Sequence, residues 1–340
     1  MAIPKPTLNI IGKANGVGLS RDLALLESAL RESGYDVRVT KIDAAQARRR
    51  RSPWSQLLVR CALLRRRFFR RHPTDASINV MLEHVWSEYL SAADVNVAIP
   101  NPEWFDVHDR RMLGAIDVVW AKTAYTQQVF ESHGSRVRYT GFDSDDRHDA
   151  AVPRHATFFH LAGKSSMKGT DRLLRVWARH PEWPVLTVVQ HQADTNAPEI
   201  AAANIDRRVG YVDDGELRRL QNTSQFHLCL SLTEGWGHYI VEALGVGAIT
   251  VTIDAAPMNE LVTCDRGALV RHESVGAQRL ATTYYFDEGH FEATVAGLLA
   301  LTEAQRTQLS QNSRRWFLEN QRTFPQRLRE AVEALAESGA

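Results

Sequence analysis

Cysteine is scarce in this chain of 340 residues: there are three, Cys61, Cys229 and Cys264. Their odd number, wide separation and apolar surroundings exclude a disulfide framework and a cysteine zinc site, and make a reducing cytoplasm the expected compartment. Net charge is lacking as well. Lys and Arg number 41 against 40 Asp and Glu, a formal +1, so no global field draws the chain to nucleic acid. Long apolar runs are missing. Nowhere do about 18 uncharged apolar residues follow one another, and the opening MAIPKPTLNIIGKANG is broken by Pro, Lys and Gly. Neither a membrane span nor an export signal is expected. No internal repeat or low-complexity tract occurs. No Asp-x-Asp stands at a convincing strand end, since DSDD at 143–146 falls in a polar connection, and no metal is expected to be required.

What is present is an ordinary globular composition, 44% hydrophobic and 24% charged, over a length that suits two domains of roughly 150 residues each. TLNIIGKANGVGLSRDLALLESALRESGYDVRVTKI runs from a β-rich stretch through glycines into a helix carrying Leu23, Leu26 and Leu30, then into a second strand. Strand-like runs follow at SINVML, VNVAIP, DVVWAK and RVRYTGF. This alternation predicts a parallel sheet with helices on both faces over residues 1–145. DSDDRHDAAVPRH reads as a linker, placed at 146–154. The alternation restarts with ATFFHLAG, VLTVVQ, RRVGYV, FHLCLS and AITVTI, predicting a second such domain over 155–310. The remainder, 311–340, reads as helical and as crossing back to the first domain, with Phe324-Pro325 expected to end or kink it.

One segment breaks the charge balance. AAQARRRRSPWSQLLVRCALLRRRFFRRHP, residues 44–73, holds ten arginines and no acid, interleaved with Trp54, Leu57, Leu58, Leu63, Leu64, Phe68 and Phe69. Two readings stand side by side: an amphipathic helix lying on an anionic membrane through residues 48–71, and a solvated surface helix whose apolar side joins the core. No stacking module accompanies the charge to favour RNA.

Three stretches carry residues suited to chemistry. In NGVGLSRD, Gly16 and Gly18 stand between strand and helix, where glycines fit either a structural turn or the close approach of an anion to a helix N-terminus. In HLAGKSSMKGTDRLL, Lys164 and Lys168 flank a polar loop at a strand end, a placement that suits a diphosphate. In SLTEGWGHYIVEALGVGAIT, Glu234 sits in a glycine turn and Glu242 in the first turns of the following helix. The turn offers free backbone N–H groups to an anion, and a nearby carboxylate suits ribose hydroxyls. The same acids also serve as ordinary helix N-terminal charges.

Taken in order, these stretches resemble the retaining glycosyltransferases of the GT-B fold, most closely family four, over nearly the whole chain. GVGLSRDLALLESALRESGYDVRV is similar to that family's glycine loop and first helix, AGKSSMKGTDRLLRVW to its phosphate-binding stretch, and RRVGYV through APMNELV to its E-x7-E region. The resemblance implies an α/β chain of two doubly wound Rossmann-like domains facing a central cleft, the first for the acceptor, the second for the nucleotide sugar. It implies a hexosyltransferase using an NDP-sugar as substrate, with no cofactor and with retention at the anomeric carbon. The expected acceptor is a saccharide or a lipid-linked saccharide, as in polysaccharide or lipopolysaccharide synthesis at the inner face of the plasma membrane. Lys164 and Lys168 would hold the diphosphate together with the Gly16–Gly18 loop, Glu234 the sugar hydroxyls, and Glu242 the ribose. Gly235, Trp236 and Gly237 would approach sugar and phosphate through their amides, and Gly210 and Tyr211 would cradle the base. Lys164 stands where the family more often has arginine, keeping charge without the bidentate fork. For a first-domain group near the anomeric carbon, the candidates are His84, in VMLEHVW, and Glu103, in VAIPNPEWFD. A noncatalytic nucleotide-sugar sensor or scaffold and a GT-B phosphorylase or hydrolase are the alternatives.

Overall fold

The computed structural model describes residues 6–13, 18–49, 57, 77–191, 200 and 202–337. They divide into two compact units, the first comprising Met1–Asp143, Gln278–Ala281 and Asn320–Ala340, the second Ser144–Ala277 and Thr282–Glu319. Gly16 and, apart from residues 44–49 and Leu57, the arginine-rich segment lie outside the described residues.

The first unit is built on β1 (Thr7–Lys13), β2 (Asp36–Ile42), β3 (Ile78–Glu83), β4 (Val95–Pro100), β5 (Val118–Ala121) and β6 (Val137–Tyr139). They form one parallel sheet in the order β2-β1-β3-β4-β5-β6. The central strands read as nearly unbroken apolar runs because helices cover both faces. The helix Gly18–Glu32 buries Leu19, Leu23, Leu26 and Leu30, the spacing of a single apolar stripe. A charged pair lies inside this packing: Lys122, just past β5, places its Nζ 2.6 Å from Asp22 Oδ2, with side chains 2% and 5% exposed.

The second unit repeats the plan with β7 (His155–Gly163), β8 (Leu186–Gln190), β9 (Ile205–Val209), β10 (Ser224–Cys229), β11 (Ile249–Ile253) and β12 (Gly267–Val270). The order is β12-β11-β10-β7-β8-β9, again parallel. A two-stranded hairpin, β13 (His272–Gln278) and β14 (Ala281–Phe286), follows. In each sheet the strand order reverses once, between β1 and β3 and between β7 and β10. Open α/β sheets bind ligands at the carboxyl ends of the strands flanking such a reversal.

Three expectations differ from what is observed. RRVGYV is strand only through Val209, and Gly210 and Tyr211 lie past its end. The helix Glu303–Glu337 runs through Pro325 instead of ending there. Phe324, Leu328, Ala331 and Val332 are buried on one stripe around the proline, and that burial outweighs one missing backbone bond. Within residues 146–154, Asp146 pairs with Arg314 at 2.7 Å and Arg147 with Asp214 at 2.9 Å. Cys264 is exposed, and only Cys229 of the two described cysteines is buried. Among the described residues no helix is long and apolar enough to cross a membrane.

Two histidines make the second unit sensitive to acid. His160 on β7 and His227 on β10 are buried at 0% and 3% exposure. Burial lowers their pKa values to about 4 and about 3 from the ordinary 6.5. The unfolded chain therefore binds protons on these rings that the folded chain does not. Their stabilisation is complete above pH 6.5 and falls away as the pH drops toward 4 and then 3. Urea midpoints measured at stepped pH should decline across this window. The slope should be shallower in His227→Asn, and an unchanged slope would exclude His227 as a source.

Candidate functional site

At the reversal of the second sheet, β7 ends at Gly163 and its chain turns through Lys164–Lys168 into the helix Thr170–Ala178. Beside it β10 ends at Cys229 and its chain turns through Glu234–Gly237 into the helix His238–Gly245. The two turns are stitched together by a bond from the Leu232 amide to the Met167 carbonyl, 2.8 Å. Gly169 makes the approach possible: its φ is +68°, and a Cβ there would lie 2.7 Å from the Leu230 carbonyl oxygen. Only glycine accepts both conditions.

Both helices begin without a side-chain cap, each with a left-handed glycine at its N-cap, Gly169 and Gly237. The helices starting at Val107, Ala124, Asp214 and Glu288 are instead capped by Asp106, Thr123, Asp213 and Asp287. Neither of these two N-termini has a side-chain cap, a setting that suits an anion.

Lys168 and Glu234 occupy this place. Lys168 Nζ lies 2.5 Å from Glu234 Oε1 and 3.7 Å from the centre of the Tyr239 ring. Both side chains are about one-sixth exposed, at 16% and 15%. Ser231 Oγ donates to Glu234, and Tyr239 Oη accepts the Ser231 amide at 3.1 Å. Burial raises the Tyr239 pKa well above its ordinary value, so it stays a neutral phenol. Beneath the turn, His160 is hydrogen-bonded to the Leu228 carbonyl at 2.7 Å and to Thr170 Oγ1 at 2.9 Å. It fastens β7, β10 and the first residue of the helix Thr170–Ala178 together.

The other candidates from sequence are spread more widely. Lys164 is exposed on the turn. Gly235 and Trp236 are buried, and the Trp236 indole donates to Ser144 Oγ at 3.2 Å. Glu242 lies 2% exposed on its helix and accepts from Gln221 Nε2 at 3.0 Å. Gln221 in turn accepts from Arg147. Gly210 and Tyr211 follow β9, the sheet's outer strand, with β8 between them and β7. The Tyr211 side chain is 84% exposed, and this pair does not join the Lys168–Glu234 group.

In the first unit, Gly18 opens its helix and is exposed. His84 follows β3 with its ring 19% exposed and Nδ1 2.9 Å from Asp109 Oδ2. Glu103 follows the neighbouring strand β4 and is 6% exposed. Glu83, which ends β3, was not apparent from sequence, and burial raises its pKa against the opposing pull of His84, Lys122 and Lys13. Tyr239, Ser231, His160 and Asp109 were also missed. The Gly-Trp-Gly turn marked the loop beside Tyr239 and Ser231, but nothing local marks Asp109, which meets His84 from 25 positions along the chain.

No protein-family model and no curated protein matches the sequence. Among solved structures, a glycosyltransferase from Rickettsia africae aligns over 97% of this chain and 98% of its own, with TM-score 0.67 at 13% identity. The chain has the GT-B fold. The same GT-B fold relates it to sucrose-phosphate synthase from Thermosynechococcus elongatus, with TM-score 0.69, 12% identity and coverage of 98% and 100%. It is likewise similar to Anabaena HepE, solved in complex with UDP-glucose, with TM-score 0.63, 15% identity and coverage of 96% and 99%. At such identities the likeness is one of GT-B architecture, and the chemistry must be argued from the site.

Proposed function

We propose that the chain is a glycosyltransferase moving a hexose-type residue from an NDP-sugar to a saccharide or lipid-linked saccharide acceptor, with retention and without a required metal. The observation that carries this reading is the convergence of two uncapped helix N-termini on Lys168 and Glu234 at the reversal of the second sheet. Three cationic or dipolar sources aimed at one spot suit a diphosphate leaving group. A carboxylate within reach of the same spot suits the hydroxyls of the sugar beyond it. The complex of HepE with UDP-glucose lends support, as a nucleotide sugar held by a protein of this fold.

In the proposed reaction the acceptor oxygen bonds to the anomeric carbon as the bond from that carbon to the diphosphate oxygen breaks. The acceptor's proton leaves with the departing diphosphate. Lys168, joined by Lys164, offsets the charge growing on that oxygen, Glu234 orients the sugar, and Glu242 takes the ribose. Gly210 and Tyr211 take the base. The proposed setting is the cytoplasmic face of a membrane carrying the acceptor, on the strength of the arginine-rich sequence alone.

The test is to incubate the protein with a panel of NDP-sugars and follow NDP release with and without acceptor extracts. Acceptor-stimulated release is the expected result. Binding without release would make the chain a sensor, release indifferent to extract a hydrolase, and release that requires inorganic phosphate a phosphorylase.

A further inference from the structure

At the reversal of the first sheet the chain makes an unusual turn. β3 ends at Glu83, whose φ is +63°, and the His84 amide bonds back to the Leu82 carbonyl at 2.7 Å. An i→i+2 bond closed over a left-handed residue is the rare, strained hand of the γ-turn. A side chain other than glycine held there costs on the order of 1–3 kcal/mol, and such outliers cluster at functional sites. The turn reverses the chain at once and brings His84 onto Asp109.

Asp109 is fully buried, and its two oxygens serve separate partners. Oδ1 accepts the Val85 amide at 2.9 Å. Oδ2 accepts the Asp106 amide at 3.1 Å and lies 2.9 Å from His84 Nδ1. Capping the helix Val107–Met112 uses the Asp106 contact. The bonds to residues 84 and 85 do nothing for that helix; they hold the strained turn and the imidazole.

We propose that Asp109 is a positioning residue that fixes His84 as the Nδ1–H tautomer and leaves Nε2 to accept a hydrogen bond from the acceptor hydroxyl, with Glu83 beside it. A carboxylate has no proton to give, so the nitrogen facing it must carry one. Nε2 then keeps its lone pair on a ring that is partly exposed; the Glu83 carboxyl, 3.5 Å away, is pushed by burial toward its protonated form and so places no demand for a proton on Nε2. Edge-on packing against Trp86, with centroids 6.0 Å apart, restrains the ring further. The role toward the acceptor rests on the glycosyltransferase reading, while the tautomer is a property of the chain alone.

The tautomer is read from long-range proton–nitrogen spectra of the full chain carrying 15N-histidine, with His84→Gln used to assign the signal. In the wild type, neutral His84 should show a protonated Nδ1 and a bare Nε2. In Asp109→Asn the amide can donate to Nδ1, and the proton should move to Nε2, while Asp109→Glu should keep the wild-type pattern. A wild-type ring protonated on Nε2, or no change in Asp109→Asn, overturns the proposal. The wild-type spectrum decides the matter even where a variant does not fold.

In turnover, Asp109→Asn should lower kcat by about 10²-fold with the donor KM unchanged, the loss expected when the acceptor hydroxyl is no longer held in line. A switched tautomer with unchanged kcat would remove His84 from the acceptor's path. A wild-type protein that transfers nothing would defeat the proposed function and leave the tautomer result standing.

Discussion

Lys168→Ala is expected to lower the turnover of glycosyl transfer by about 10²–10³-fold, the usual loss when one preorganised electrostatic donor is removed, while the protein stays folded. Lys168 is bonded to Glu234 at 2.5 Å and rests on the Tyr239 ring at 3.7 Å. Its side chain is partly exposed, so the ion pair itself adds little to stability. In the proposed reaction the ammonium stands beside two helix N-termini, where charge grows as the anomeric bond breaks. An interaction that strengthens in the transition state shows its loss in kcat more than in KM. Lys168→Arg should fall between wild type and alanine, because a planar fork does not reproduce a compact ammonium seated over an aromatic face. Steady-state kinetics at saturating donor, with thermal midpoints as the check on folding, reads both. An alanine variant with wild-type kcat would move the diphosphate elsewhere.

The largest expected effect on stability lies in the other unit. Lys122→Ala should cost about 3–5 kcal/mol, because it strands a buried carboxylate that has lost its cation. Asp22 and Lys122 are 2.6 Å apart with almost no exposure, and the ammonium also lies 4.4 Å from the centre of the Phe142 ring. Replacing both together, Lys122→Met with Asp22→Leu, should recover most of the loss, since a buried pair contributes little net stability against apolar groups of similar volume. Urea unfolding of the two single variants and the double variant measures this. Single variants within 1 kcal/mol of wild type, a limit well below the expected about 3–5 kcal/mol, would show that water reaches the pair.

The alternation of strand-like runs with helical stripes was enough to place the six strands of the first sheet: β3, β4 and β5, buried on both faces, are spelled in nearly unbroken apolar letters, while the edge strands β2 and β6 mix apolar with charged residues. The hairpin β13–β14 escaped. β13, HESVGAQ, is polar and exposed along nearly its whole length, and the turn at Arg279, φ +58°, lacks the Asn-Gly or Asp-Gly signal that such turns usually carry. Lys168 and Glu234 were legible because each stands in a glycine-bearing turn between strand and helix, a local pattern. Tyr239, Ser231 and His160 were not, since a buried phenol, a serine and a strand histidine look like ordinary core and loop residues until folding sets them around the lysine. Asp109 was harder still: in sequence it is a capping acid, and only its second oxygen ties it to His84.

The most direct measurement is a crystal structure of the protein soaked with an NDP-sugar. The account predicts the diphosphate on Lys168 at the N-termini of the helices Thr170–Ala178 and His238–Gly245, Glu234 released to the sugar hydroxyls, and Glu242 turned from Gln221 to the ribose. A nucleotide held by the first unit, or one bound to the second with Lys168 still closed on Glu234, would contradict it.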